Sequence, residues 1–380
     1  MKALIDKKDF IGLDRCLWLY SGAETPTHRG VLEAVTEYLT ARSLGPGGRE
    51  RNAEKEWRCK QNLARMLNGS PEQIALMSSS SEVISMIAQA MRLKPGDNVI
   101  IHNLEFPSGV LPWLLLKREG VEVRVVEHRQ WDIEEEDILN RIDERTRLVL
   151  TSHVSYLNGV RIDYKKLYER VSRTNALFVL DATQSLGAFP VDLNYADLIV
   201  CSSYKWLLGV HGGGILAVNP KRGFELVPRY IGWRSVRSLE GRDKFETFEF
   251  HSDARRFELG YPGYPAVYAL EFTTGLLLDI GVARIAEHIL KLGESVLELL
   301  GSLGVAVTTP AESHRRAGNI SFLHHDAERI AGELYKQGVY LMGSDGRVRI
   351  SVGAFNDAED IRLLGERLPQ IIENIGGGKR

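Results

Sequence analysis

Two ionisable side chains each follow a short apolar run. Lys205 lies in Ser202-Ser203-Tyr204-Lys205-Trp206, directly after Ala196-Asp197-Leu198-Ile199-Val200-Cys201. Asp181 ends the run Ala176-Leu177-Phe178-Val179-Leu180, twenty-four positions upstream of the lysine. Taken singly, each is ordinary: a lysine in a surface loop, an aspartate capping a helix. Together, at the C-terminal ends of two strands, they suit one chemistry. The amine forms a Schiff base with an aldehyde, and the carboxylate keeps a pyridine nitrogen protonated so that the ring draws electrons. That pair is what pyridoxal phosphate requires.

Four further segments add to the pair. Ser78-Ser79-Ser80-Ser81-Glu82 precedes the helical pattern Val83 to Met91. Serines there cap the helix, and the same hydroxyls and free N–H groups can bind a phosphate. Phe106 sits in Leu104-Glu105-Phe106-Pro107-Ser108-Gly109-Val110, after an apolar run ending at His102. Its ring could stack on a flat cofactor or fill core space. His153-Val154-Ser155-Tyr156-Leu157-Asn158-Gly159 again follows a strand-like run. Arg349, in Arg347-Val348-Arg349-Ile350-Ser351, alternates with apolar neighbours. Turned inward beside a ligand, it would grip a carboxylate in bidentate fashion.

The elements needed to position these residues are legible in the alternation of apolar runs and helical patterns. Strands are expected at Asn98 to His102, Glu122 to Val126, Arg147 to Thr151, Leu177 to Asp181, Leu198 to Cys201 and Gly214 to Val218. Helical patterns cover Val31 to Leu39, Ala53 to Leu67, Glu82 to Met91, Val110 to Glu119 and Tyr164 to Thr174. Such alternation builds a mainly parallel sheet covered by helices, an α/β fold. After Tyr268 the pattern changes to a long helical stretch from Ala269 to about Leu303, broken near Gly281. Strands at Val305 to Thr309, Asn319 to Leu323, Val339 to Met342 and Arg347 to Val352 follow, with helices Ala327 to Gln337 and Ala358 to Ile372. The division expected is an N-terminal segment (1–20) packing on the small domain, a large α/β domain (21–268), and a linking helix with a small α+β domain (269–380).

Bulk composition narrows the function classes. A 380-residue chain with 44% hydrophobic and 26% charged residues has the balance of an ordinary globular protein. A net charge of -2 lacks the basic surplus of nucleic-acid binders. No stretch has the charge-free length of a bilayer span, and residues 1–9 lack a signal-peptide pattern. The three cysteines, Cys16, Cys59 and Cys201, have no metal-ligand spacing, and a reducing cytoplasmic setting is expected.

The runs Leu180-Asp181-Ala182-Thr183-Gln184-Ser185-Leu186-Gly187-Ala188 and Ser202-Ser203-Tyr204-Lys205-Trp206-Leu207 together resemble the class V aminotransferase family. That family also holds cysteine desulfurases, selenocysteine lyases, kynureninases and isopenicillin N epimerase-like enzymes. The resemblance runs from about Tyr20 to about Phe355. It implies the fold type I architecture, with a large mainly parallel sheet of about seven strands, a small C-terminal α+β domain, and pyridoxal 5'-phosphate between them. It further implies that Lys205 carries the Schiff base and moves protons, that Asp181 pairs with the pyridinium nitrogen, and that Gln184 bonds the phenolic oxygen. Ser80, Ser81, Ser202 and Tyr204 would hold the phosphate, Phe106 would stack on the ring, and Arg349 would bind the substrate carboxylate. The segment Arg256-Phe257-Glu258-Leu259-Gly260-Tyr261-Pro262 resembles the stretch that reaches the partner subunit's phosphate, which places Tyr261 at a shared site and implies a homodimer.

Four departures from the family pattern carry information. Tyr204 replaces the histidine common before the lysine in desulfurases, Tyr261 stands where threonine is usual, and Tyr156 stands where many members have asparagine. Desulfurases also carry a nucleophilic cysteine on a mobile loop before the arginine motif. Here that stretch, Val339 to Arg347, is short and contains no cysteine. The expectation is therefore an enzyme acting on an amino acid, first an aminotransferase, then a lyase (C–S lyases included) or an epimerase. A non-catalytic binding module would be expected to lack Lys205.

Overall fold

The computed structural model describes residues 1–224, 226–238 and 245–376. The glycine-rich tail beyond 376, expected to fray, lies outside the described residues.

A two-residue strand, β1 (Leu17–Trp18), opens the chain, and helices α1 (Arg29–Arg42) and α2 (Pro46–Met66) follow. Pro46 stands in the first turn of α2, where its missing N–H costs nothing and its fixed φ favours the helix. Then come β2 (Ile74–Met77), α3 (Ser80–Ala90), β3 (Asn98–His102), α4 (Leu111–Lys117), β4 (Glu122–Val126), α5 (Glu135–Leu139), β5 (Thr146–Ser152), α6 (Tyr164–Val171), β6 (Leu177–Asp181), β7 (Leu198–Ser202) and β8 (Gly214–Val218). The seven strands β2 to β8 form one sheet in the order β2-β8-β7-β6-β5-β3-β4. Only β8 runs against the others, pairing antiparallel with β2 on one side and β7 on the other.

Strands β2, β3, β5, β6 and β7 are buried over nearly their whole length, as a sheet covered on both faces must be. Alternate side chains feed two apolar clusters. Phe178 and Leu180 enter one, while Leu177 and Val179 enter the other. The parallel strands all end on one edge of the sheet, and β5 and β6 pair so that Ser152 lies beside Asp181. Ligands bind along such a carboxyl edge in open α/β sheets.

The helical stretch after Tyr264 is two helices. The first, α7 (Tyr264–Ile280), packs on α1 and α2, and the second, α8 (Val282–Ser302), leaves it at 77°. Gly281 makes the break with φ +90°, a value a side chain would resist. The remaining elements are β9 (Ala306–Val307), β10 (Asn319–Leu323), α9 (Ala327–Lys336), β11 (Val339–Tyr340), β12 (Met342–Ser344), β13 (Arg347–Ser351) and α10 (Ala358–Gly376). Four of the strands form an antiparallel sheet ordered β12-β13-β10-β9. The expected single strand Val339 to Met342 is divided: β11 pairs with β1, while β12 turns back onto β13. The turn between β12 and β13 is two residues long, Asp345 at φ +52° and Gly346 at φ +67°. Positive φ at both positions is the geometry whose twist matches a tight hairpin.

Candidate active site

Lys205 follows β7 and points into a cavity at the carboxyl edge of the large sheet. The cavity is lined by Ser80, Phe106, Tyr156, Asp181, Ser202 and Lys205, with Ser81, Ser152, Val154, Thr183, Gln184 and Tyr204 completing its wall. The lysine is only 7% exposed. Its amine lies 5.4 Å from the centre of the Phe106 ring and 5.8 Å from that of Tyr204. Burial lowers its pKa from the ordinary 10.5 to about 8, with the Arg349 charge adding in the same direction. A buried amine of this kind is a nucleophile near neutral pH.

Asp181 closes β6. One carboxylate oxygen accepts the Thr183 N–H at 2.8 Å. Burial raises its pKa, and Thr183 opposes that shift. A carboxylate that resists standing alone in this environment gains from a cationic partner, which a pyridinium N–H supplies.

At the start of α3, Ser79 caps the helix by accepting the Glu82 N–H. Ser80 Oγ lies 2.7 Å from Ser202 Oγ, so the helix N-terminus and the end of β7 meet through two hydroxyls. Ser81 Oγ, on the exposed side, is 2.6 Å from Ser108 Oγ. The positive end of an eleven-residue helix with these hydroxyls is a fitting receptor for a phosphate. Gly214 makes the approach possible. A Cβ there would come within 2.6 Å of the Ser79 backbone nitrogen.

Gln184 is tied to its surroundings on both sides of its amide. Its Nε2 donates to Gly22 O at 2.8 Å, and its Oε1 accepts from Trp206 Nε1 at 2.8 Å and from Asn319 Nδ2 at 3.1 Å. An indole nitrogen can only donate, which fixes the amide orientation. One Nε2 hydrogen then remains for a ligand oxygen. Phe106 turns the edge of its ring to Tyr156, with centroids 5.1 Å apart. Tyr204 stacks on His211 at 3.9 Å.

Two residues expected at the site do not line this cavity. Tyr261 is 56% exposed and packs against Trp233 and Tyr264, away from the cavity of its own chain. Arg349 is buried behind the cavity wall, donating from Nη1 to the Tyr156 carbonyl at 2.5 Å. Burial lowers its pKa to about 10, and neighbouring Arg347 lowers it further.

Several surrounding groups escaped the sequence reading. Thr183 accepts the Ser202 N–H and so links the ends of β6 and β7. His102 and Glu105, both buried, form a close pair at 2.7 Å. Glu105 also accepts the Ser152 N–H at 2.6 Å and bonds the Ser152 hydroxyl. The signal was present, since His102 ends a strand-like run and Glu105 immediately precedes Phe106, but only the β3–β5 neighbourhood brings Ser152 to them. The donors, the flat aromatic wall, the buried amine and the buried carboxylate together suit a phosphorylated pyridine aldehyde.

Comparison with known proteins agrees with this fit. The sequence pattern of the family described as Aminotransferase class-V matches residues 17–364. A probable cysteine desulfurase of Methanothermobacter thermautotrophicus is 28% identical, the match covering 93% of this chain and 94% of that protein. An uncharacterized aminotransferase of Bacillus subtilis, YcbU, is 23% identical over 90% of this chain and 91% of its own. Among solved structures, the apo cysteine desulfurase of Thermococcus onnurineus superposes with a TM-score of 0.87 at 22% identity, covering 98% of this chain and all of that one (100%). The cystine C–S lyase C-DES, solved with its product cysteine persulfide, gives a TM-score of 0.86 at 22% identity, covering 95% of this chain and 99% of that one. With nearly its whole length matched, the chain belongs to the class-V aminotransferase family and is a pyridoxal-phosphate-dependent enzyme acting on an amino acid.

Proposed function

We propose that the chain is a lyase that breaks the Cβ–S bond of a sulfur-containing amino acid and releases the sulfur fragment to solvent. The observation that carries this reading is the lack of a thiol at the cavity. None of the described residues lining it is a cysteine. Cys201 lies in β7, donating toward the Ala182 and Ser202 carbonyls, and burial pushes its pKa well above the ordinary thiol value. Cys59 is buried in α2, and Cys16 lies near β1 with its thiol directed at the Gly12 carbonyl. The stretch that would hold a mobile thiol loop is the two-residue turn Asp345–Gly346, closed by the Ser344 and Arg347 pair. Sulfur transfer onto the enzyme itself therefore lacks an acceptor among the described residues.

Bound pyridoxal phosphate supplies an electron sink for the carbanion left when the α-proton departs. Asp181 would face its ring nitrogen, Ser80, Ser81, Ser202 and Tyr204 its phosphate, Gln184 its phenolic oxygen and Phe106 its ring face. Arg349 does not line the cavity, but its charge acts on Lys205, and it would hold the substrate carboxylate from there. The Lys205 amine, unprotonated in appreciable fraction near neutral pH, would take the α-proton. Expulsion of sulfur needs little acid assistance, because a thiol of pKa about 8.5 leaves readily as thiolate. The overall change balances as cysteine plus water giving pyruvate, ammonia and sulfide. With cystine the sulfur product is thiocysteine. Relatives named as desulfurases and a structural neighbour named as a cystine C–S lyase support the sulfur-amino-acid class.

Transamination, placed first on sequence grounds, is the second reading, supported by the Bacillus subtilis relative's name. A substrate panel separates the two. Pyruvate, ammonia and a soluble sulfur product are expected for the lyase. Alanine with sulfur left on the protein would overturn it in favour of desulfuration, and a pyridoxamine spectrum with keto-acid product would overturn it in favour of transamination.

We also propose the homodimer. Tyr230, Ile231, Trp233 and Tyr261 are large, exposed and outside their own chain's cavity, as residues reaching a partner's site would be. Sedimentation giving a monomer mass would refute it.

A further inference from the structure

Among the described residues, the buried carboxylates divide into two sets. Glu56, Glu135, Asp197, Glu258 and Asp360 each pair with an arginine or lysine. Arg234 serves Glu56 and Glu258, Arg315 serves Glu135, Arg222 serves Asp197 and Lys7 serves Asp360. Glu105 and Asp181 are the two buried carboxylates with no such partner among the described residues. Both follow or close strands at the carboxyl edge of the large sheet, and Ser152 joins their surroundings. Ser152 lies beside Asp181 in the β5–β6 pairing, lines the Lys205 cavity, and gives its N–H to Glu105 Oε1 at 2.6 Å and its hydroxyl to Oε2.

The hydrogen bonds around Glu105 have one direction. His102 Nδ1 accepts the Leu104 N–H at 3.2 Å, so the ring carries its proton on Nε2. That nitrogen lies 2.7 Å from Glu105 Oε1 and donates to it. Three donors thus converge on one carboxylate, the arrangement that suits its charged form. The charge is felt at the cavity. Burial raises the pKa of Asp181, and Glu105 pushes it the same way; Lys205 acts with the opposite sign and less strongly. Burial raises the pKa of the Tyr156 phenol too, and Glu105 adds to that shift. Two buried anions this closely coupled are costly until a cation joins them. The five other buried carboxylates have that cation within the chain. Here the cation is left to come from what the cavity binds.

We propose that Glu105 is a positioning residue for the cofactor: held by His102 and Ser152, it sets a second negative charge beside Asp181 and, through Asp181, favours the proton on the ring nitrogen of bound pyridoxal phosphate. This rests on the reading of the Lys205 cavity as the cofactor site and on nothing about which bond the enzyme breaks. Glu105 touches the ring nowhere itself. Asp181 makes the contact, and Glu105 makes Asp181 a better acceptor.

The test is fluorescence titration of the cofactor-free protein with two probes, pyridoxal phosphate and its 1-deaza analogue, in which a C–H replaces the ring nitrogen. Both carry the aldehyde and the phosphate, but the analogue has no ring proton to share. Glu105→Gln removes the charge while its amide can still accept from Ser152 N–H and His102 and donate to the Ser152 hydroxyl, so the local fold is kept. The preference of wild type for pyridoxal phosphate over the analogue should fall about tenfold in Glu105→Gln, the span of one Coulomb coupling across a protein interior. Glu105→Asp, which keeps the charge, should retain most of the preference even if both affinities drop. An equal loss of affinity for both probes in Glu105→Gln, or an unchanged preference, would overturn the assignment, because a purely structural anchor affects the two probes alike. Should Glu105→Gln fail to fold, the double variant Glu105→Met, Ser152→Ala, which removes the acceptor and a hydroxyl donor together, takes its place with the same expectation. Failure of wild type to bind pyridoxal phosphate at all would instead sink the cofactor reading, so the two failures are distinct.

Discussion

Below its pKa, the buried amine of Lys205 should destabilise the cofactor-free protein, and the size of that effect follows from its surroundings. Burial and the Arg349 charge lower the lysine pKa from 10.5 to about 8. The unfolded chain therefore binds more protons than the folded one between these values, and stability rises with pH across that window. Below pH 8 the full penalty applies, about 3 kcal/mol at ~1.4 kcal/mol per pH unit. Lys205→Met removes the titrating group while keeping much of its volume. The assay is urea denaturation of cofactor-free wild type and Lys205→Met at pH 7 and pH 9.5, read as the difference between their pH responses so that other groups cancel. Wild type should gain about 2 kcal/mol on Lys205→Met between the two pH values. The same shift governs cofactor capture. At pH 7 roughly a tenth of such amines are neutral, against about one in three thousand at the ordinary value. The rate of capture should accordingly rise with pH to a midpoint near 8, and Arg349→Met should move that midpoint upward. Parallel stability responses, together with a midpoint near the ordinary lysine value, would refute the reasoning.

Other consequences are equally measurable. Gln184→Leu leaves the Trp206 N–H, the Gly22 carbonyl and the Asn319 amide without their partner, and should cost about 2–4 kcal/mol in urea unfolding. Glu258→Ala removes the 2.6 Å partner of the buried Lys60, leaving it only Glu56 at 3.6 Å, takes a carboxylate from Arg234 and leaves the buried Leu76 N–H without its acceptor. A loss of about 3–5 kcal/mol is expected there; a loss under 1 kcal/mol would contradict the burial argument. Gly214→Ala forces a Cβ to within 2.6 Å of the Ser79 backbone and should weaken cofactor affinity about tenfold or more by displacing the start of α3, measured by fluorescence titration.

Where apolar periodicity and turn residues act locally, the sequence foretold the structure closely. Leu177–Asp181 and Asn319–Leu323 begin and end where the pattern places them. Gly281 breaks the long helical stretch as expected. What escaped depended on distant partners. Strand β2 exists because β8, some 140 residues later, offers it an edge. Helix α2 begins at Pro46, upstream of the expected start, and Gly48 sits so close to Ala41 O that a Cβ there would lie at 2.0 Å. Such a glycine-rich opening resembles a loop in sequence. At the site, Lys205 and Phe106 were legible because each follows a strand, and Asp181 because it ends one. The Glu105–Ser152 bond was not, since it has no local signature.

The Gln184 amide connects three stretches far apart in the chain: Gly22 near the start, Trp206 beside the cofactor lysine, and Asn319 in the small sheet. Closing so many long loops is slow relative to local helix formation. The parallel strands β7-β6-β5-β3-β4, whose pairings join nearer stretches of chain, can therefore assemble before this knot is tied. Capture of the cofactor then marks the last step of maturation, and a refolding experiment should find sheet signal returning ahead of competence to take up the aldehyde.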